Sequence, residues 1–178
     1  MKHLFKAVML AIALSITGFV HADKPFGSAS DVNFAMSLWK SMQDNKLVGA
    51  DAINVFPFNG NQPHGAVQQV TDSVIEVKNR LGRVIVKRNH GGDGANVKSV
   101  YANPNKYIKA VTVMFKREQG YDSENLDWFW AKYSPNGTLD KNPKGIKLAG
   151  RVAKGAAAGC LACHKALGGK DLETLTER

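Results

Sequence analysis

The chain has 178 residues, of which 44% are hydrophobic and 22% charged, with a formal net charge of +9. That length suits one domain with a sizeable core, and no repeat, low-complexity tail or interdomain linker breaks it. The basic balance alone would admit a nucleic-acid partner, but the first residues argue for export and so exclude it.

Residues 1–22 read as a secretory signal peptide rather than part of the fold. Lys2 and Lys6 form a positive start, Ala7 to Val20 is apolar, and Val20-His21-Ala22 ends on a small residue. The apolar stretch is too short for a comfortable transmembrane helix, and no second one follows, so no membrane span is expected. The expected product is a periplasmic protein of a single domain, 23–178, with 178 − 22 = 156 residues and a net charge of +9 − 2 = +7. Such a charge serves solubility or the docking of an acidic electron-transfer partner.

After an extended arm, Ser30 or Asp31 is expected to cap a helix reaching about Asn45. Val32, Ala35, Met36, Trp39 and Met42 would share its buried face. Ala50 to Pro63 reads as irregular. The pattern then becomes that of strands: stretches within Val67 to Val77, a turn at Asn79 to Gly82, and a strand from Arg83 to Arg88. A glycine-rich loop follows from Asn89 to Asn96. Further strands are expected at Val97 to Ala102, Tyr107 to Lys116 and Asp127 to Tyr133. A helix from about Ala149 would end the chain. The expected fold is a β-rich α+β domain, an antiparallel sheet with an N-terminal helix and a C-terminal helix.

That last helix carries Cys160-Leu161-Ala162-Cys163-His164, and these are the chain's only cysteines. Two cysteines two residues apart, followed at once by histidine, form the attachment signature of c-type haem. Each thiol adds across one vinyl group of the macrocycle, and the adjacent imidazole lies beneath the ring to bind iron. A redox disulfide would instead follow a strand and open a helix in a thioredoxin-like unit. Here the lead-in is the Ala/Gly-rich run 155–159, and no further ligands at zinc spacing are nearby. Only fourteen residues follow His164, none of them Met or His. A sixth iron ligand would therefore come from upstream. The strand-like middle of the chain also excludes a four-helix-bundle cytochrome.

Three stretches resemble the cytochrome P-460 family: 113–122 (Val113-Met114-Phe115-Lys116 through Tyr121-Asp122), 127–133 (Asp127-Trp128-Phe129-Trp130-Ala131-Lys132-Tyr133), and the C-terminal haem motif. The resemblance runs from about Asn54 to Lys165, and the closely related cytochrome c′-beta shares it. It implies a β-rich homodimer with one five-coordinate haem c per subunit, bound through Cys160 and Cys163 with His164 proximal. In cytochrome P-460 a lysine also bonds to a meso carbon of the haem. Those enzymes oxidise hydroxylamine through an iron–nitrosyl to nitrous oxide or nitrite, whereas cytochrome c′-beta binds nitric oxide without the lysine bond. A soluble cytochrome would accept the electrons.

The family's lysine sits near the start of the strand leading into Met114-Phe115-Lys116, where Lys106 and Lys109 are the candidates. Alternation on a strand groups Lys106 with Ile108, Ala110, Thr112 and Met114. That face has small members able to admit a flat macrocycle, so Lys106 is the expected cross-link. The resemblance also turns the face of Phe129, Ala131 and Tyr133 toward the distal pocket, where active oxidases carry a carboxylate. Alanine in that slot removes a base, so slow oxidation is expected while binding of hydroxylamine or nitric oxide survives. His64 and His90 are expected in exposed loops, with His64 the candidate second ligand of an electron carrier. Phe56 and Phe58 would wall the distal side, or simply pack in the core.

Overall fold

The computed structural model describes residues 25–167 and Leu172; the expected signal peptide, 1–22, lies outside them. Helix α1 (Ala29–Asp44) opens the fold, followed by β1 (Phe58–Asn59), β2 (Val67–Val77) and β3 (Arg80–His90). Two short helices, α2 (Val97–Ala102) and α3 (Pro104–Tyr107), lead into β4 (Ile108–Lys116). Strands β5 (Trp128–Tyr133) and β6 (Ala149–Gly150) precede the C-terminal helix α4 (Cys160–Ala166). The six strands form one antiparallel meander in sequence order. This is the β-rich α+β architecture expected, with a helix at each end. No helix among the described residues is long and apolar enough to cross a membrane.

Both faces of the central strands are covered. Val84 and Val86 of β3, Val111, Val113 and Phe115 of β4, and Phe129, Ala131 and Tyr133 of β5 pack beneath α1. The alternate residues Ile85, Met114, Trp128 and Trp130 pack on the opposite side with Val152 and Leu161. Period-two geometry sends successive side chains to opposite faces, so a strand buried on both sides reads as a continuous apolar run. Two contacts fix which side α1 takes. The Phe34 and Phe129 rings meet edge to face at 4.8 Å, and the Tyr133 hydroxyl donates to the Ala35 carbonyl at 2.9 Å.

Local chemistry sets several boundaries differently from the sequence pattern. Helix α1 is capped by Ser28, not by Ser30 or Asp31. Ser28 Oγ accepts from the Asp31 amide at 3.1 Å, and the Asp31 carboxylate accepts from the Ser28 amide at 3.1 Å. The buried face is Phe34, Ala35, Leu38, Trp39 and Met42, and Met36 is exposed. The β2–β3 turn is Lys78-Asn79, both at positive φ, as a two-residue hairpin requires. Gly82 lies inside β3, where a Cβ would collide with the Phe115 ring and the Lys116 carbonyl.

The expected strand at 97–102 is a helix. Asn96 Oδ1 accepts from the Ser99 amide at 2.9 Å while Ser99 Oγ accepts from the Asn96 amide at 3.0 Å. That reciprocal box satisfies two otherwise unpaired donors and outweighs the weak β preference of six residues. Asn103 and Pro104 then start α3, so Lys106 sits on a helical turn before β4 begins.

Replacing Ser28 with alanine removes the side-chain half of the α1 capping box and leaves only the backbone amide donating to Asp31. Urea unfolding of Ser28→Ala should show a loss of about 1 kcal/mol, with an unchanged denaturant slope.

Candidate functional site

Helix α4 is placed by its first residues. Gly159 precedes Cys160 at φ +120, a conformation L side chains rarely adopt, and a Cβ there would run into Ala153. Cys160 is partly buried, Cys163 is exposed, and both thiols are unpaired. Burial pushes the Cys160 thiol above its usual value, the opposite of what a redox Cys-x-x-Cys pair needs. Among the described residues no group of three His, Cys, Asp or Glu is arranged to hold a metal ion.

His164 is 4% exposed, and its Nδ1–H donates to the Leu172 carbonyl at 2.6 Å. That bond fixes the tautomer and leaves Nε2 as the nitrogen with a lone pair. Trp130 meets the imidazole edge-on at 4.7 Å between ring centres. Burial lowers the His164 pKa, partly opposed by the Leu172 bond. The ring is therefore held neutral, oriented and dry.

Beside it lies a cavity of about 870 Å³, near the upper end of the roughly 300–1,000 Å³ usual for ligand and cofactor sites. Its floor is the sheet face opposite α1, with Ile85, Lys87 and Asn89 of β3, Thr112 and Met114 of β4, and Trp130 and Lys132 of β5. Asn89 Nδ2 donates to Thr112 Oγ1 at 3.2 Å, whose oxygen lies 3.3 Å from His64 Nδ1. Trp130 Nε1 and Asn89 Oδ1 are buried without a partner. Orphaned polar atoms on the wall of an otherwise apolar cavity mark where an occupant supplies the missing bonds. Together with the helix of Cys160, Cys163 and His164, they fit a haem: an apolar floor for the ring, a free imidazole nitrogen, and the Lys109 ammonium group at the rim for a carboxylate.

The expected residues fall out unevenly. Cys160, Cys163 and His164 come together on one helical turn at the cavity. Lys106 does not join them: it is exposed on α3, its Nζ 5.2 Å from the Tyr107 ring centre, and it does not border the cavity. The register explains why Lys109 does. Asn89 pairs with Ala110 but His90 pairs with Ile108, leaving Lys109 as the extra residue of a β-bulge, which re-aims a side chain.

Ala131 is a correction as well. The residue borders the cavity, but its methyl group belongs to the α1-side cluster between Phe129 and Tyr133. The side chains that β5 sends toward the haem motif are Trp130 and Lys132. Phe56 is largely exposed and stacks on Tyr101 at 5.6 Å rather than walling the cavity.

Lys87 and Asn89 of the cavity escaped the sequence reading, and the two histidines are more buried than expected. His64 is half-buried, its ring 6.1 Å from that of His164, and His90 is fully buried; neither lies in an exposed loop. Burial first, then Lys87, His164 and Lys132, lowers the His64 pKa to about 4. Burial and Arg88 lower that of His90 to about 4, against a smaller opposing effect of the Pro104 backbone. Lys87 was hidden in an apolar strand and Asn89 was expected in the loop after it; β3 runs on to His90 and sends both to the face of Ile85.

A β-sheet floor, a helix bearing Cys160, Cys163 and His164, and a cavity fitted to a macrocycle define a haem protein. The family model for cytochrome P460 matches residues 60–172, which is 172 − 60 + 1 = 113 of the 178 residues. The chain belongs to that family, and haem is its cofactor. No curated protein and no solved structure gives a significant match to the chain.

Two outcomes follow from this geometry. Ala131→Glu places a carboxylate in the α1-side core, so its melting temperature should fall well below that of the parent. Overpacking alone costs about 1–3 kcal/mol, with desolvation of the acid added to it. A variant as stable as the parent would show that this side chain reaches the cavity after all.

The second outcome concerns pH. His64 and His90 have folded pKa values below the unfolded 6.5. Their contribution is therefore complete above pH 6.5 and lost as pH falls toward 4, because the unfolded chain takes up protons first. Urea midpoints measured from pH 7 to pH 4.5 should decline, and less steeply in His90→Leu.

Proposed function

We propose that this protein is an exported haem c protein of the cytochrome P-460 type that oxidises hydroxylamine. The observation that carries the reading is His164, buried beside a large cavity with Nδ1 tied to Leu172 and Nε2 available. Cys160 and Cys163, on the same face one turn apart, would each add a thiol across a haem vinyl group. The bound haem iron supplies a site for a small nitrogen ligand and one-electron oxidation.

This chain's residues do the rest. Trp130 packs on His164 and excludes water from the proximal side. Asn89 and Thr112 hold His64 by hydrogen bonding at the cavity wall. Removing electrons from hydroxylamine also removes protons, and Ala131 faces the wrong core to accept them. The Asp140 carboxylate is ion-paired with Lys132 at 2.7 Å and held below its usual pKa, which makes it a poor base. His64, neutral but a weak base, is the remaining acceptor, so proton removal limits the rate.

The lysine bond of this family type is assigned here to Lys87. It is 4% exposed and lies on the cavity floor, whereas Lys109 stands exposed at the rim and Lys106 lies outside. The proposal further includes a homodimer in the periplasm and a soluble cytochrome as electron acceptor, drawn to the basic surface.

A second reading has one observation in its favour: His64 shares the cavity with His164. If it binds iron as a second axial ligand, the protein is an electron carrier. Without either the lysine bond or turnover, it is a nitric-oxide-binding protein like cytochrome c′-beta.

Resting ferric protein should give high-spin resonance signals and take up nitric oxide readily. Low-spin signals that become high-spin in His64→Ala would establish the electron-carrier reading. A tryptic digest should release one haem-bearing species joining the 160–164 peptide to the peptide around Lys87. Haem carrying only the 160–164 peptide would place the protein with the nitric-oxide binders.

A further inference from the structure

On the α1 side of the sheet, separate from the haem cavity, lies a second pocket of about 280 Å³. Its polar interior is Arg88 and His90, and its walls include Ile108, Val111 and Pro104, with Asn105 as the other polar side chain. None of its lining residues is acidic.

Arg88 is 4% exposed, and its one hydrogen bond among the described residues is from Nη2 to the Ile53 carbonyl at 2.6 Å. No carboxylate among the described residues pairs with it, and burial alone lowers its pKa. A guanidinium carries five N–H donors and a full charge, and burying such a group without a counter-charge is strongly unfavourable. His90, next to it, is 0% exposed, and neither ring nitrogen meets a partner at full hydrogen-bond geometry, the Pro104 backbone acting on it only weakly. A buried imidazole normally satisfies at least one nitrogen. An unanswered charge and an under-satisfied ring thus face the same small space.

We propose that this pocket binds a small monovalent oxyanion. One negative charge matches the one cation lining this pocket, whereas a dianion would leave an excess. Two oxygens match the fork of guanidinium donors that remain after the bond to Ile53. The His90 N–H supplies a third donor, and the apolar walls exclude the water that would compete. His90 also borders the haem cavity, so its ring is the partition between the two sites. No bond is made or broken on binding; the anion leaves its hydration shell for these three donors.

The test uses the haem-loaded full chain at pH 7, with formate and nitrite as probes and chloride at the same ionic strength as control. Thermal midpoints and the ring nitrogen resonances of His90 are recorded, while the haem absorption band reports any binding at iron separately. Formate and nitrite should raise the midpoint and shift the His90 resonances along saturating curves that chloride does not reproduce. Arg88→Met should weaken this binding roughly ten- to a hundredfold, as expected for losing a charge-assisted bond. In anion-free buffer its midpoint should equal or exceed the parent's, because an unpaired buried charge has been removed.

If Arg88→Met does not fold, Arg88→Lys carries the test. It keeps the charge but loses the fork, and the affinity should drop about tenfold or more. Responses that do not saturate, that chloride matches, or that persist unchanged in the Arg88 variants would overturn the proposal.

Discussion

The middle strands of this protein are buried on both faces, and that constraint governs what each of their residues can do. β3, β4 and β5 cannot present a polar face to water, because α1 covers one side and the haem helix with its lead-in covers the other. An apolar side chain on such a strand needs no explanation. A polar one must be answered by a partner or by an occupant, since an unpaired buried group costs roughly 1–3 kcal/mol. Lys87, Asn89 and His90 on one strand therefore stand out, and so do Arg88 and the indole nitrogen of Trp130. They cluster toward the end of β3 and its neighbours, where the bulge at Lys109 opens the ladder. The site is concentrated where the sheet is least regular, and the apolar half of the same strands holds it rigid.

The haem helix depends on that rigidity through few covalent steps and several tertiary ones. It has seven residues, too short to hold itself together in water. Leu161 anchors it in the cluster with Trp130 and Met114, and the Leu172 carbonyl holds His164 from the far side. Its approach is tied down by Lys154, whose ammonium meets the buried carboxylate of Asp122 at 2.5 Å. Asn125 donates to the same carboxylate at 2.7 Å, in the loop that leads directly into β5. The segment before the haem motif and the strand that packs on His164 are thus fixed to one another at a single buried acid.

The sequence disclosed the parts of this arrangement that are periodic or that carry their chemistry in consecutive residues. The haem motif needed no fold to be read, and the apolar runs at 108–116 and 128–133 declared themselves as strands. The choice between the two lysines failed on a shift of one residue. Lys106 was grouped with Ala110 and Thr112 on the assumption that the strand already included it. Asn103 and Pro104 start a helical turn there instead, and the bulge gives Lys109 a place that alternation would deny it. The grouping of Ala110, Thr112 and Met114 survives because it lies beyond the bulge. Ala131 was grouped correctly with Phe129 and Tyr133, but the resemblance turned that face the wrong way; only the contacts of Phe34 and Ala35 decide it. His64 and His90 were misjudged for a different reason: glycine and proline neighbours predict irregular backbone, which is not the same as exposed backbone.

The two sides of β3 also show why neighbouring residues of like charge are tolerable inside this sheet. Lys87 and Arg88 are adjacent and both 4% exposed, an arrangement that would be prohibitive if their charges shared one environment. Alternation sends the Lys87 side chain into the haem cavity and the Arg88 side chain to the pocket on the α1 side. The two charges therefore do not share one space. His90 stands between them, neutral because both burial and Arg88 disfavour its charged form. Any negative charge settling beside Arg88 weakens that second effect and makes the imidazole easier to protonate, so a change on one face of the sheet reaches the other through a single ring.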